Sequence, residues 1–96
     1  MSELELLKYC KSDEPVARIY CKGYIGGILE AGLVFSHQHS VKAKPFCPPL
    51  DGVKPPQALM VVVKYLEDHP GKLHIESVFL VIDALADAFP CSVSKK

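Results

Sequence analysis

Four cysteines, Cys10, Cys21, Cys47 and Cys91, are spread over a chain of 96 residues. A domain of this size has room for one modest core, and small domains commonly gain stability from covalent staples. An even number of cysteines distributed over the whole length reads as two disulfides rather than four free thiols. No two of them are separated by only two residues, so neither a zinc knuckle nor a CxxC redox site is indicated. Two disulfides imply an oxidising compartment. The N-terminus MSELELLKYC lacks the basic, apolar and small-residue regions of a signal peptide. An oxidised chain therefore implies that Met1 replaces a removed leader.

The charge balance removes further classes. Eleven basic and 11 acidic residues cancel, whereas domains that bind nucleic acid by neutralising phosphates usually carry a clear basic excess. No uninterrupted apolar run approaches the roughly 20 residues needed to span a bilayer, so no membrane partner is expected. With 49% apolar and 23% charged residues, the composition is globular, and residues 1–96 read as a single domain with a core of about 4–91.

Ser2 followed by Glu5 is a capping-box signature, and Leu4, Leu7 and Cys10 supply a short apolar stripe for a first helix. SDEP interrupts it. Asp13 is suited to cap a second helix and Pro15 to occupy its first turn. VARIYCKGYIGGILEAGLVF then reads as a helix of about 18 residues, with Gly32 as its stop. Gly23, Gly27 and Ala31 recur on one side of it, as close packing of another helix would require, because isolated glycines cost roughly 1 kcal/mol each in a helix interior.

SHQHSVKAKPFCPPLDGVKP, residues 36–55, is a long Pro-rich loop, and loops of that length tend to be functional or disordered. The triple valine that follows favours a strand. However, Leu59, Val62, Val63 and Leu66 fall at the i, i+3, i+4, i+7 positions of an amphipathic helix. Pro55 and Pro56 open that helix, and His69-Pro70-Gly71 closes it. In the last helix, Ile75, Val78, Phe79, Ile82, Ala86 and Phe89 define an apolar face, Glu76, Asp83 and Asp87 an acidic edge, and Pro90 the stop. The expected fold is all-α: a compact bundle of four main helices with the long loop between helices two and three, stapled by two disulfides.

Helices three and four should form an antiparallel hairpin, within which Cys47 can reach Cys91. A loop running back along helix two would instead bring Cys47 to Cys21 and leave Cys10 for Cys91. Four cysteines allow three connectivities and the sequence does not choose; the reading leans to Cys21–Cys47 with Cys10–Cys91.

No catalytic motif emerges. Oxidised cysteines are not nucleophiles, and no GxSxG elbow is present. His37 and His39 have the spacing to share a metal from an extended segment, but no nearby carboxylate completes the set. Asp83 and Asp87, one turn apart, read as a solvated helix edge. Gly23 and Gly26-Gly27 follow no strand and so form no dinucleotide fingerprint. Lys42 and Lys44, with His37 and His39, supply a local basic patch in the long loop. The expectation is a non-enzyme that needs no cofactor.

The ordered set CKGYIGGILEAG, FCPP, QALMVVVKYLEDHP and ALADAFPC resembles the Rap/Tai family of type VI secretion immunity proteins over about residues 4–91. Matching positions include Cys21, Gly23, Tyr24, Phe46, Cys47, Pro48, Gln57, Tyr65, Leu66, His69, Pro70, Phe89, Pro90 and Cys91. The resemblance implies a small helical periplasmic protein, disulfide-bonded and often a homodimer, that binds and blocks a peptidoglycan amidase effector. Related immunity proteins push a loop into the enzyme's groove. The partner-binding candidates are therefore Glu67, Asp68, His69 and Lys72 in the turn after helix three, and His37, His39, Lys42 and Lys44 in the long loop. An alternative of another class is a periplasmic stress chaperone or assembly factor that binds client proteins.

Overall fold

A computed structural model of the chain, which describes residues 1–37, 44–49, 52–70 and 75–91, begins its first helix where the Ser2–Glu5 spacing predicts. The Glu5 N–H donates to Ser2 Oγ at 3.3 Å, and the Ser2 N–H donates to Glu5 Oε1 at 2.9 Å. These two bonds satisfy donors that a helix N-terminus otherwise leaves open. The helix they start, α1 (Glu3–Cys10), buries Leu6 and Glu3. The expected stripe is off by part of a turn: Leu4 is exposed and Leu6 is the core residue.

α2 (Pro15–Ser36) has Pro15 in its first turn as predicted, but its N-cap is Glu14 rather than Asp13, with no side-chain cap. Ser12 Oγ instead accepts the Glu14 N–H at 3.0 Å. The helix also runs through Gly32 to Ser36. Gly32 is a packing site, not a stop: an added Cβ would lie 2.1 Å from the Phe46 ring. The expected close helix contact at Gly23 and Gly27 does not occur, since a Cβ at either would meet nothing within 4 Å.

α3 (Pro55–Asp68) and α4 (Ser77–Ala88) complete the set. α3 buries Ala58, Val62 and Leu66, close to the predicted stripe. α4 buries Ser77, Leu80, Val81, Ala84 and Leu85, so its predicted face is displaced. Ile75, Ile82, Ala86 and Phe89 pack only at the margin of the core, and Phe79 is exposed. The sequence SVFLVIDALADA is apolar on most sides, and its periodicity does not single out one face.

The element order is all-α, and no strand forms among the described residues; Ser2 and Glu76 make one isolated antiparallel bridge. α4 runs alongside α2, with Ser77 near Tyr24 at one end and Phe89 near Cys47 and Phe46 at the other. α3 runs the opposite way, from the neighbourhood of Leu33 to that of Lys11.

Two disulfides staple this arrangement, but not in the expected pairing. Cys10 bonds Cys21 and Cys47 bonds Cys91, with Cα–Cα distances of 5.1 and 4.9 Å. The connection between α1 and α2 is so short that it folds α1 back on α2, setting Cys10 beside Cys21. The Cys47 N–H donates to the Phe89 carbonyl at 2.9 Å, which fixes Cys47 next to the end of α4 and hence to Cys91. The leaning toward Cys21–Cys47 required the loop to run back along the middle of α2. Instead it is pinned near the helix's C-terminal end by Phe46 on Gly32.

Candidate functional site

The last turn of α3 and the residues after it hold three of the predicted partner-binding side chains. Glu67 is ion-paired with Lys11 of α1, and Asp68 Oδ2 accepts from Lys64 Nζ at 3.2 Å. His69 caps the helix. Its Nδ1 lies 2.7 Å from the Tyr65 carbonyl. A carbonyl only accepts, so Nδ1 carries a proton and donates it to Tyr65. The imidazole also stacks on the Tyr65 ring at a centroid distance of 4.1 Å and 25°. One short stretch thus displays two carboxylates and an oriented imidazole. Each is tied to the body by a contact, although such exposed ion pairs add little stability.

Beside this turn, Val61, Tyr65, Ala84 and Ala88 floor a shallow groove of about 290 Å³ between α3 and α4, with Lys64, Asp68, His69 and Asp87 at its edges. Asp83 and Asp87 are exposed, as their place on the polar edge of α4 predicts.

Under the same end of the bundle lies a buried polar cluster that the sequence did not announce. Glu3 is fully buried, and neither carboxylate oxygen has a hydrogen-bond partner among the described residues. Burial pushes its pKa up, and the nearby His69 charge opposes this in part. Ser77, also fully buried, shares a 2.9 Å hydrogen bond with the Tyr24 hydroxyl. The Glu3 N–H donates to the Ile75 carbonyl at 3.1 Å and the Ser77 N–H to the Met1 carbonyl at 2.8 Å, which locks the start of α1 to the start of α4. In sequence, Glu3 looked like an ordinary first-turn acid of a capped helix, so no pattern could have flagged it.

The second predicted surface is elsewhere. His37 sits at the C-cap of α2 and Lys44 just before Phe46. Glu67 is tied to the α1 end, near Cys21. His37 lies 16 residues beyond Cys21 along α2, about 24 Å at the helical rise. The two candidate surfaces therefore occupy opposite ends and do not form one site. His39, Lys42 and Lys72 lie outside the described residues. Among the described residues, no group of His, Cys, Asp and Glu is arranged to hold a metal, and no helix is long and apolar enough to cross a membrane.

A disulfide-stapled helical domain with a polar, pre-ordered turn has the make-up of a small binding protein. The chain belongs to the family described as Rap1a immunity proteins, whose model matches residues 2–91. Families of this kind are inhibitors rather than enzymes, and they act by binding an effector partner. Together with the two disulfides, membership points to a secreted or periplasmic protein. No curated protein matches the chain in sequence.

Proposed function

We propose that this protein binds and blocks a peptidoglycan amidase effector of a type VI secretion system, acting in the periplasm. Membership of the immunity family is the observation that carries this reading, and the turn Glu67-Asp68-His69-Pro70 is the surface it uses. A tight inhibitor gains from a binding segment whose side chains are already held in place, because less ordering is lost on association. Here Lys11 of α1 holds Glu67, and Lys64 and Tyr65 of α3 itself hold Asp68 and His69. A cysteine-dependent amidase would be met by the His69 imidazole and the Asp68 carboxylate.

The test is to purify the chain with an amidase encoded beside it and to follow peptidoglycan hydrolysis. Stoichiometric binding that abolishes hydrolysis supports the proposal. An amidase that stays fully active at a large excess of the chain sinks it. A client-binding chaperone draws support from the exposed Val16, Ile19, Met60 and Phe79. It would be recognised by protection of unrelated unfolded proteins from aggregation without any effect on the amidase.

A further inference from the structure

Three tyrosines stand in line where α1 packs on α2. The ring centroids of Tyr9 and Tyr20 lie 4.9 Å apart at 59°, and Tyr20 stacks on Tyr24 at 6.3 Å and 26°. The Tyr24 hydroxyl is hydrogen-bonded to the buried Ser77, so the line is anchored in the core at one end. Its other two members face water: Tyr9 is 41% exposed and Tyr20 50%. With Glu14, Val16 and Ala17 they line an open groove of about 420 Å³.

This groove is electronegative. Aromatic rings present their negative faces, and the Glu14 carboxylate is the one charged group on the wall. Glu14 makes no ion pair among the described residues. Arg18 and Lys22, the basic residues of this part of α2, project about 160° around the helix from Tyr20. Lys8 lines the neighbouring groove on the other side of Tyr9, together with Glu5 and Ser12. Fastening α1 to α2 falls to the Cys10–Cys21 bond and to the core that Leu6 and Ile25 share. That task leaves the half-exposed tyrosines and the unpaired Glu14 unexplained.

We propose that this groove is a binding site for an arginine side chain presented by a protein partner. A guanidinium stacks on an aromatic face and is attracted by it. Stacking leaves its fork of N–H donors free for a carboxylate, and Glu14 is the carboxylate of this groove. The rings already hold one another, so little order is lost on binding. The site is separate from the end of α3: Lys11 faces Glu67, whereas Tyr9, two residues earlier, faces Tyr20. Only the identity of the partner, an arginine on the effector surface, rests on the inhibitor reading.

Titration of the oxidised full chain with N-acetyl-glycyl-arginyl-glycinamide, followed through the tyrosine ring NMR signals, tests the site without any effector. The Tyr9 and Tyr20 signals should shift saturably with a Kd on the order of 10 mM at low salt, and binding should weaken as salt is added. The citrulline peptide, neutral and of the same shape, should bind at least about fivefold more weakly. Glu14→Gln and Tyr20→Leu should each weaken arginine binding about threefold or more. Tyr20→Phe keeps the ring and should bind like wild type, and thermal melts show that each variant is folded. No saturation by about 100 mM overturns the proposal. So does equal binding of the citrulline peptide, or arginine binding indifferent to both Glu14→Gln and Tyr20→Leu. A neutral N-acetylated sugar that shifts these signals when the arginine peptide does not likewise overturns it and gives the groove to a glycan. Arginine binding by a chain that leaves the amidase active keeps the site and sinks only the inhibitor reading.

Discussion

The ring of Phe46 occupies the space that a side chain at residue 32 would need, its Cζ lying 2.1 Å from where the Cβ of a non-glycine residue would sit. This one contact closes the long connection onto α2 and places Cys47 for its bond. Gly32→Ala should destabilise the fold by about 1–3 kcal/mol through overpacking, and Phe46→Ala by about 3–5 kcal/mol. Urea denaturation of each variant gives both values. A Gly32→Ala variant as stable as wild type would show that the ring yields freely.

The two disulfides should differ in worth. Cys10 and Cys21 are separated by 11 residues, Cys47 and Cys91 by 44. Loop-closure entropy assigns about 3 kcal/mol to the first and about 4 kcal/mol to the second. Peptide mapping without reductant should recover the consecutive pairs, and denaturation of Cys10→Ser/Cys21→Ser beside Cys47→Ser/Cys91→Ser should give the ordering.

Glu3 sets a pH dependence whose sign follows from its raised pKa. The folded protein holds this proton more tightly than the unfolded chain, in which a glutamate titrates near about 4.3. The contribution is therefore fully present below that value and is lost as pH rises through the higher folded pKa. Glu3→Met, of similar length and apolar, should stabilise the protein by about 1–3 kcal/mol at pH 7 by removing a buried acid that has no partner among the described residues. The gain should shrink toward pH 4. Paired urea titrations of wild type and variant across pH 4–8 read the difference directly, and a pH-independent gain would refute the assignment.

Tyr24→Phe removes the only hydrogen bond that the buried Ser77 hydroxyl makes among the described residues. The expected loss is about 1–2 kcal/mol. Tyr24→Phe combined with Ser77→Ala should cost less than the sum of the two single changes, and a double-mutant cycle measures the coupling.

His69→Ala should leave the fold nearly intact, costing about 1 kcal/mol for its stacking and its bond to Tyr65. If the turn is the inhibitory surface, the same change should raise the Kd for the amidase at least about tenfold. Titration calorimetry on a variant shown to be folded separates the two effects. Unchanged affinity would move the contact away from this turn.

What the sequence disclosed follows the strength of each local signal. Ser2 and Glu5, Pro15, and the Leu59–Leu66 stripe announced three helices because caps, proline and periodicity act within a few residues. α4 was legible as a helix but not in its orientation: with apolar side chains almost all round, only tertiary partners such as Tyr24 for Ser77 choose the buried face. The glycines of α2 were legible as a stripe, yet Gly32, outside it, is the one that a long-range contact needs. The disulfide pairing was out of reach because it depends on where Phe46 docks. Glu67 and Asp68, read as part of the turn after helix three, instead form the last residues of α3, with His69 as its C-cap, because the helical stripe continues past Leu66. The burial of Glu3 beneath them arises from α1 folding against α4.

The pairing of each cysteine with the next one along the chain has a consequence for how the molecule is made. A polypeptide that emerges N-terminus first presents Cys10, then Cys21, then Cys47, then Cys91. An oxidant that joins cysteines in order of appearance therefore produces the native set at once, with no wrong bond to undo. The interleaved and nested pairings would each need an early cysteine to wait unreacted past its neighbour. For an oxidant of that kind, this pairing leaves nothing for a reshuffling catalyst to correct.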